Sequence, residues 1–242
     1  MRNKNFIFSL LNVSLVGGLC LFLFSFQSTT KYKTHFALNQ AVIVLKPDNQ
    51  KTRRSAEFLQ MQISTRTGLE LEIVVGEPNP VRPSIVVGNV SDFENVESSE
   101  FLKNPEAYAI WIDDSADSFR LNVSGSDDRG VLFGVGRLIR ELYLTDGFIA
   151  VASDINIVDT PGDQLRAQQI ISNVQGEDKF MDWDDSEDVK QFVDDMIIFG
   201  ANGFEPTKPE LIDDYLENLG LDLFIKLKCQ DIIDLNEEED AT

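Results

Sequence analysis

Trp183 stands among Asp182, Asp184 and Asp185 in the stretch DKFMDWDDSED, residues 178–188. An indole offers a flat apolar face to the C–H face of a pyranose, and carboxylates accept hydrogen bonds from its hydroxyls. That composition suits a sugar site. A second reading fits the same residues: a tryptophan anchoring a loop, with acids ahead of a helix where they complement its macrodipole. Other chemistries are bounded by scarcity. His35 is the single histidine, so a His-rich zinc site is excluded, and a Ser/His/Asp apparatus would have to use His35 as its base. His35 lies beside Tyr32 and Phe36 in a segment expected to be flexible, which makes it a surface residue. Of the two cysteines, Cys20 falls in an apolar leader and Cys229 near the C-terminus, so no disulfide framework remains once the leader is removed.

Two clusters invite a ligand and are better read otherwise. Asp113, Asp114 and Asp117 lack the loop-closing glutamate of a calcium loop and occupy a turn, where Asp bonds the local backbone. Gly130, Gly134 and Gly136 do not complete G-x-G-x-x-G, since Ile139 takes the third place, and they lie inside a helix rather than ahead of one. Close packing of that helix on a sheet explains Gly130 and Gly134. No metal and no cofactor is expected.

The chain has 242 residues and a net charge of −20. Residues 1–150 carry 15 Lys+Arg against 17 Asp+Glu, whereas residues 151–242 carry 6 against 24. So acidic a surface repels phosphate backbones, which argues against nucleic acid as a partner. At the N-terminus, MRNKN precedes an uncharged run from Phe6 to Phe26, the pattern of export. Residues 1–30 are therefore expected to be a cleaved signal peptide or, if uncleaved, a membrane anchor through residues 6–26. Either way the remainder is expected to be exported.

The elements that would position these residues follow from hydrophobic periodicity. AVIVL (41–45), LEIVV (71–75) and SIVVG (84–88) are short apolar runs that predict strands. Between the first two, Ala56, Leu59 and Ile63, with Phe58 and Met61 alongside, predict a helix over 50–67 that Gly68 stops. AYAIWIDD and SFRLNVSG alternate and predict an antiparallel hairpin. A helix follows, capped by Ser126 or Asp127, with Leu132, Val135, Leu138, Ile139 and Leu142 inward. NIVDTP (156–161) is a last strand. Residues 31–160 are thus expected to form an α+β domain: a mixed, largely antiparallel sheet with two helices on one face. From residue 161 the order changes. QLRAQQIIS (164–172), NGFEP (202–206) and LDLFIKLK (221–228) read as strands. Helices at 186–200, capped by Ser186, and at 208–220 separate them, which is the β-α-β-α-β repeat of a parallel barrel.

In this order the segments resemble the N-terminal half of α-glucuronidase-type glycoside hydrolases, and of the related β-hexosaminidases, where an α+β accessory domain precedes a (β/α)8 catalytic barrel. SDDRGVLFGVGRLIREL is similar to the accessory-domain helix, and DTPGDQLRAQQI to the crossing into the barrel. DKFMDWD is similar to the loop after the first strand, VDDMIIFGANGFEP to the first barrel helix and second strand, and LENLGLDLFI to the next pair. The resemblance spans roughly residues 40–230. It departs where the family has Arg-Gly and this chain has Arg166-Ala167. It implies carbohydrate, of plant type or bearing uronic acids, as partner, and Arg166, Trp183 and Glu205 as sugar contacts. Arg166 would bond a hydroxyl or a uronate carboxylate; its alternative is an ion pair with nearby acids. The catalytic carboxylates of the family lie on later strands, so no catalytic pair is assigned in residues 161–242. The segment is expected to be an incomplete barrel without activity by itself, and its exposed rim predicts poor solubility or a partner.

Overall fold

The structure is a computed structural model and describes residues 34–46, 49–78, 81–93, 103–113, 119–170 and 185–224. A six-stranded sheet is its centre, built in the order β3-β2-β4-β6-β5-β9. Its strands are β2 (Val42–Lys46), β3 (Glu72–Val75), β4 (Ser84–Asn89), β5 (Tyr108–Ile112), β6 (Arg120–Gly125) and β9 (Asn156–Asp159). The pairings β3–β2, β2–β4 and β4–β6 are parallel, while β6–β5 and β5–β9 are antiparallel. The expectation of a largely antiparallel sheet is corrected on this point. Val42 to Leu45 and Ser84 to Gly88 are buried on both faces, and strands buried on both faces are the ones that pair in parallel. The alternating hairpin β5–β6 is present, with Ile110 opposite Val123 and Ile112 opposite Leu121.

Two helices cover one face of this sheet. Helix α1 (Gln50–Thr67) starts where the Asn49 side chain accepts from the Lys51 and Thr52 amides and ends at Gly68, whose φ of 69° only glycine adopts cheaply. Phe58, Leu59 and Ile63 are buried, whereas Met61 is exposed. Helix α2 (Asp128–Glu141) is capped by Asp127, whose side chain accepts from the Gly130 amide. Its glycines let it approach closely. A Cβ on Gly130 would lie 2.4 Å from the Ala107 carbonyl oxygen, and one on Gly134 would lie 3.0 Å from Val123 Cγ1 and 3.1 Å from Tyr108 Cβ. A small antiparallel sheet, β1 (His35–Ala37), β8 (Phe148–Ala152) and β7 (Tyr143–Thr145), completes this region in the order β1-β8-β7. His35 is therefore part of a strand, paired with Ala152, and not of a flexible segment; it is a surface residue nonetheless.

The last described region lays down β10 (Ala167–Ile170), α3 (Ser186–Ile198), β11 (Gly203–Pro206), α4 (Asp213–Leu219) and β12 (Asp222–Leu223). The three strands form their own sheet in the order β10-β11-β12, parallel throughout. Asp185, not Ser186, caps α3, accepting from the Glu187 and Asp188 amides. The expected helix over 208–220 is a 3-10 turn at Pro209–Leu211 followed by α4. Helix α3 reaches α2 at a third glycine, since a Cβ on Gly136 would sit 3.1 Å from the backbone of Ile197 and Ile198. One hydrophobic core runs through the whole, from Leu38 to Leu221, and takes in Leu132, Leu138, Val193 and the fully buried Phe204. Among the described residues no helix is long and apolar enough to cross a membrane.

Candidate functional site

The N-terminal ends of β10, β11 and β12 meet the start of β5 at a buried ionic cluster centred on Glu106. This residue takes φ of 61°, unusual for a side chain larger than glycine. It is held there because its amide donates to Asp127 Oδ2 at 2.9 Å, while Asp127 Oδ1 caps α2 through Gly130 at 2.7 Å. Its side chain is only 10% exposed. Arg166 Nη2 donates to Glu106 Oε2 at 2.6 Å, and Asn202 Nδ2 lies 3.2 and 3.3 Å from the two carboxylate oxygens. Arg129 Nη1 approaches Oε1 at 3.5 Å. Arg129 itself forms a bidentate pair with Asp222 at 2.7 and 2.9 Å, and these hydrogen bonds push the guanidinium further above its already high range. Every part of the Arg166 side chain is engaged. Its Nε donates to the Gly200 carbonyl at 2.5 Å, its Nη1 to the Asp163 carbonyl at 2.6 Å, and its Cζ lies 5.0 Å over the Phe133 ring. The structure thus places Arg166 in the ion-pair role that sequence reasoning held as the alternative to sugar contact. Glu106, Arg129 and Asn202 were not singled out from sequence. Nothing local to them announces the cluster, since Glu106 and Asn202 lie 96 residues apart.

The opposite ends of the strands carry Glu205. On β11, Phe204 is fully buried against the helices, so the alternation of a strand turns Glu205 to the other face. Gln169 on β10 is its register partner, and Gln169 Nε2 donates to Glu205 Oε1 at 3.3 Å. Across the third strand, the Phe224 amide donates to the Phe204 carbonyl at 2.7 Å, which continues the β11–β12 ladder and brings Phe224 level with Glu205. The Phe224 ring leans over Gly203, where a Cβ would lie 2.4 Å from Cε2. Gln169, Glu205 and Phe224 therefore form one row across three parallel strands, on the face away from α3 and α4. The row is the next-to-last position of β10 and of β11. Gln169 is exposed, Glu205 half-buried and Phe224 exposed. Trp183, Asp182 and Asp184 lie outside the described residues, and Asp185 is used as the α3 cap.

Two other polar places lie apart from this row. Asp194 on α3 is buried and joins three helices: Gln62 Nε2 on α1 donates to it at 3.0 Å, and the Tyr215 hydroxyl on α4 donates to its other oxygen. Burial pushes its carboxyl up to about 6, against the lowering effect of Tyr215, Arg66 and Gln62. Burial and the same carboxylate push the Tyr215 hydroxyl up as well. A cleft of about 270 Å³ lies where the first turns of α1 and α2 meet the end of α4, but its basic side chains are engaged within the protein: Lys51 pairs with Asp128 at 3.2 Å, Arg54 donates to the Asn218 carbonyl at 2.5 Å, and Arg129 pairs with Asp222. Asp113 pairs with Arg120 at 3.3 Å; Asp114 and Asp117 lie outside the described residues. Among the described residues no group of three or more His, Cys, Asp or Glu is placed to hold a metal ion.

Solved structures similar to this arrangement are glycoside hydrolases. A family GH115 4-O-methyl-α-glucuronidase with specificity for decorated arabinogalactans matches with a TM-score of 0.55 at 13% identity, over 77% of this chain and 29% of that one. CpGH84B matches with a TM-score of 0.50 at 17% identity, over 80% of this chain and 34% of that one. The chain thus spans about a third of the length of these proteins, and at such identities the likeness shows the fold alone: a glycoside-hydrolase-like fold. No protein-family model matches the chain, and comparison with curated proteins finds no match.

Proposed function

We propose that this chain is an exported relative of polysaccharide-degrading glycoside hydrolases, similar to the first part of an α-glucuronidase, and that it binds carbohydrate without hydrolysing it alone. On this reading residues 31–160 are the accessory domain and 161–242 begin a (β/α)8 barrel. The observation that supports it is the face of β10–β12 that no described helix covers. Helices cover the other side, and this one presents Glu205 and Gln169 one residue from the ends of their strands. The C-terminal ends of parallel barrel strands are where such folds place their chemistry. Glu205 and Trp183 remain the sugar contacts of the proposal. Arg166, whose donors go to Glu106, Gly200 and Asp163, is instead a positioning residue. Glycoside hydrolysis needs two carboxyl groups, about 5–10 Å apart across the bond, and the row supplies one.

The test is an assay of the purified chain on aryl glycosides and on plant polysaccharides, with binding measured in parallel. Retention on a polysaccharide without turnover is the expected result. Turnover by this chain would overturn the non-hydrolysing reading, and an absence of binding to any glycan would overturn the carbohydrate reading. Export is checked by N-terminal sequencing of the mature protein, which should begin near Gln27 to Lys31.

A further inference from the structure

We propose that the contact between Gln62, Asp194 and Tyr215 is a proton-controlled joint: the neutral Asp194 carboxyl holds α4 against α1 and α3, and the charged carboxylate releases it. The joint is independent of the carbohydrate reading. Asp194 is 4% exposed and sits where the three helices meet. Gln62 Nε2 on α1 donates to its Oδ2 at 3.0 Å, and the Tyr215 hydroxyl on α4 donates to its Oδ1. Both of these partners are neutral. Arg66, one turn after Gln62, is engaged elsewhere: its Nη1 donates to the Gln62 side-chain oxygen, and its Nη2 lies 3.4 Å from Asp195 Oδ1. Asp195, the next residue of α3, is a like charge that acts against ionisation of Asp194, and Glu187 acts in the same sense on Tyr215. Helix α2 packs on α3 at Gly136, but its Arg137 is paired with Glu141 and its Arg140 lies over Phe199.

A carboxyl buried against neutral donors favours its uncharged form. Neutral, Asp194 orphans no group: Gln62 goes on donating to the carbonyl oxygen, and the carboxyl hydrogen can go to the Tyr215 oxygen. Charged, it is a buried anion beside Asp195, and hydration relieves it. Helix α4 is the element that yields. It is seven residues long, and within it Leu216 alone is buried. Its further bond to α1, from Arg54 to the Asn218 carbonyl, lies at the surface. Helix α3 stays, held by Val189, Val193, Ile197 and Ile198. The end of α4 is also one wall of the cleft beside Lys51 and Arg54, so its release opens that cleft. Burial lifts the Asp194 carboxyl to about 6; the hold on α4 is therefore full in acid and is lost as pH rises through about 6.

The experiment is native-state hydrogen exchange of the full chain at about pH 5 and about pH 7.5, corrected for intrinsic rates, with carbon NMR of the Asp194 carboxyl alongside. The amides of α4 should lose protection about tenfold between the two pH values, through an opening that dilute urea hardly changes, as local openings behave. Amides of β2 and β4 should follow the urea-dependent global route. Asp194→Asn should keep α4 protected at both pH values. The carboxyl should titrate near 6. Tyr215→Phe, which removes a donor to the carboxylate, should raise that midpoint, and Asp195→Asn, which removes a like charge, should lower it; a role in packing alone moves neither. A pH effect that persists in Asp194→Asn would overturn the joint. So would α4 amides that are unprotected at about pH 5, or that exchange only by global unfolding, or a carboxyl that titrates below about pH 5.

Discussion

Replacing Glu106 with alanine removes the one carboxylate on which the start of β5, the ends of two loops and helix α2 converge. Loss of one partner from a fully buried ion pair costs about 3–5 kcal/mol, because the remaining charge is left uncompensated. Here the orphaned guanidiniums are not fully buried: the Arg166 side chain is 21% exposed and that of Arg129 31%. Arg129 also keeps both bonds to Asp222. Partial rehydration therefore brings the expected loss down to about 2–3 kcal/mol. The left-handed backbone at Glu106 supplies an internal control. Alanine is as strained at φ of 61° as glutamate, whereas glycine is not, so Glu106→Gly should be less harmful than Glu106→Ala by about 1 kcal/mol. Urea unfolding followed by circular dichroism measures these differences. A cycle with Arg166→Met should give a coupling energy of about 1–2 kcal/mol, and native-state hydrogen exchange should quicken first at 167–170 and 203–206. A loss below about 0.5 kcal/mol with coupling near zero would refute the claim that this cluster fixes the parallel strands against the larger sheet.

Asp194 should make stability fall as pH rises. Its carboxyl is held up at about 6 from an ordinary 3.8, so the fold keeps a proton that the unfolded chain has already released. This group's contribution is largest below about pH 4 and is lost as pH passes through about 6, by an amount on the order of 3 kcal/mol. Asp194→Asn should flatten that slope between pH 4 and 7 in urea midpoints; an unchanged slope would remove Asp194 as its source. Gly130→Ala should destabilise by about 1–3 kcal/mol despite alanine's better helix propensity, since the new methyl meets the Ala107 carbonyl at 2.4 Å. Gly147→Ala, where φ is 67° but nothing lies within 4 Å, should cost only about 1 kcal/mol of backbone strain. Thermal melts of the two variants should rank them in that order.

Where periodicity was strong, the sequence was legible. Leu132, Val135 and Leu138 recur at helical spacing and are buried in α2, and Val189, Val193 and Ile197 do the same in α3. Gly130 and Gly134 were readable as packing glycines because a nucleotide loop needs them ahead of a helix, not within one. The hairpin of β7 and β8 went unread although an Asp146-Gly147 turn joins it, a signal that flanking alternation makes strong. The sheet's direction was misjudged because the alternating β5–β6 hairpin outweighed the uninterrupted runs of β2 and β4, and those runs specify parallel neighbours.

By itself the sequence determined the strands of the six-stranded sheet, the helices that pack on it and the change at residue 161 to strands separated by helices, because periodicity and capping act over a few residues. Only the tertiary structure decided what the side chains at the strand ends do. It turned Arg166 to Glu106, 60 residues away, and set Gln169, Glu205 and Phe224 in one row, because register between strands is fixed by pairing and packing across the chain rather than by local sequence.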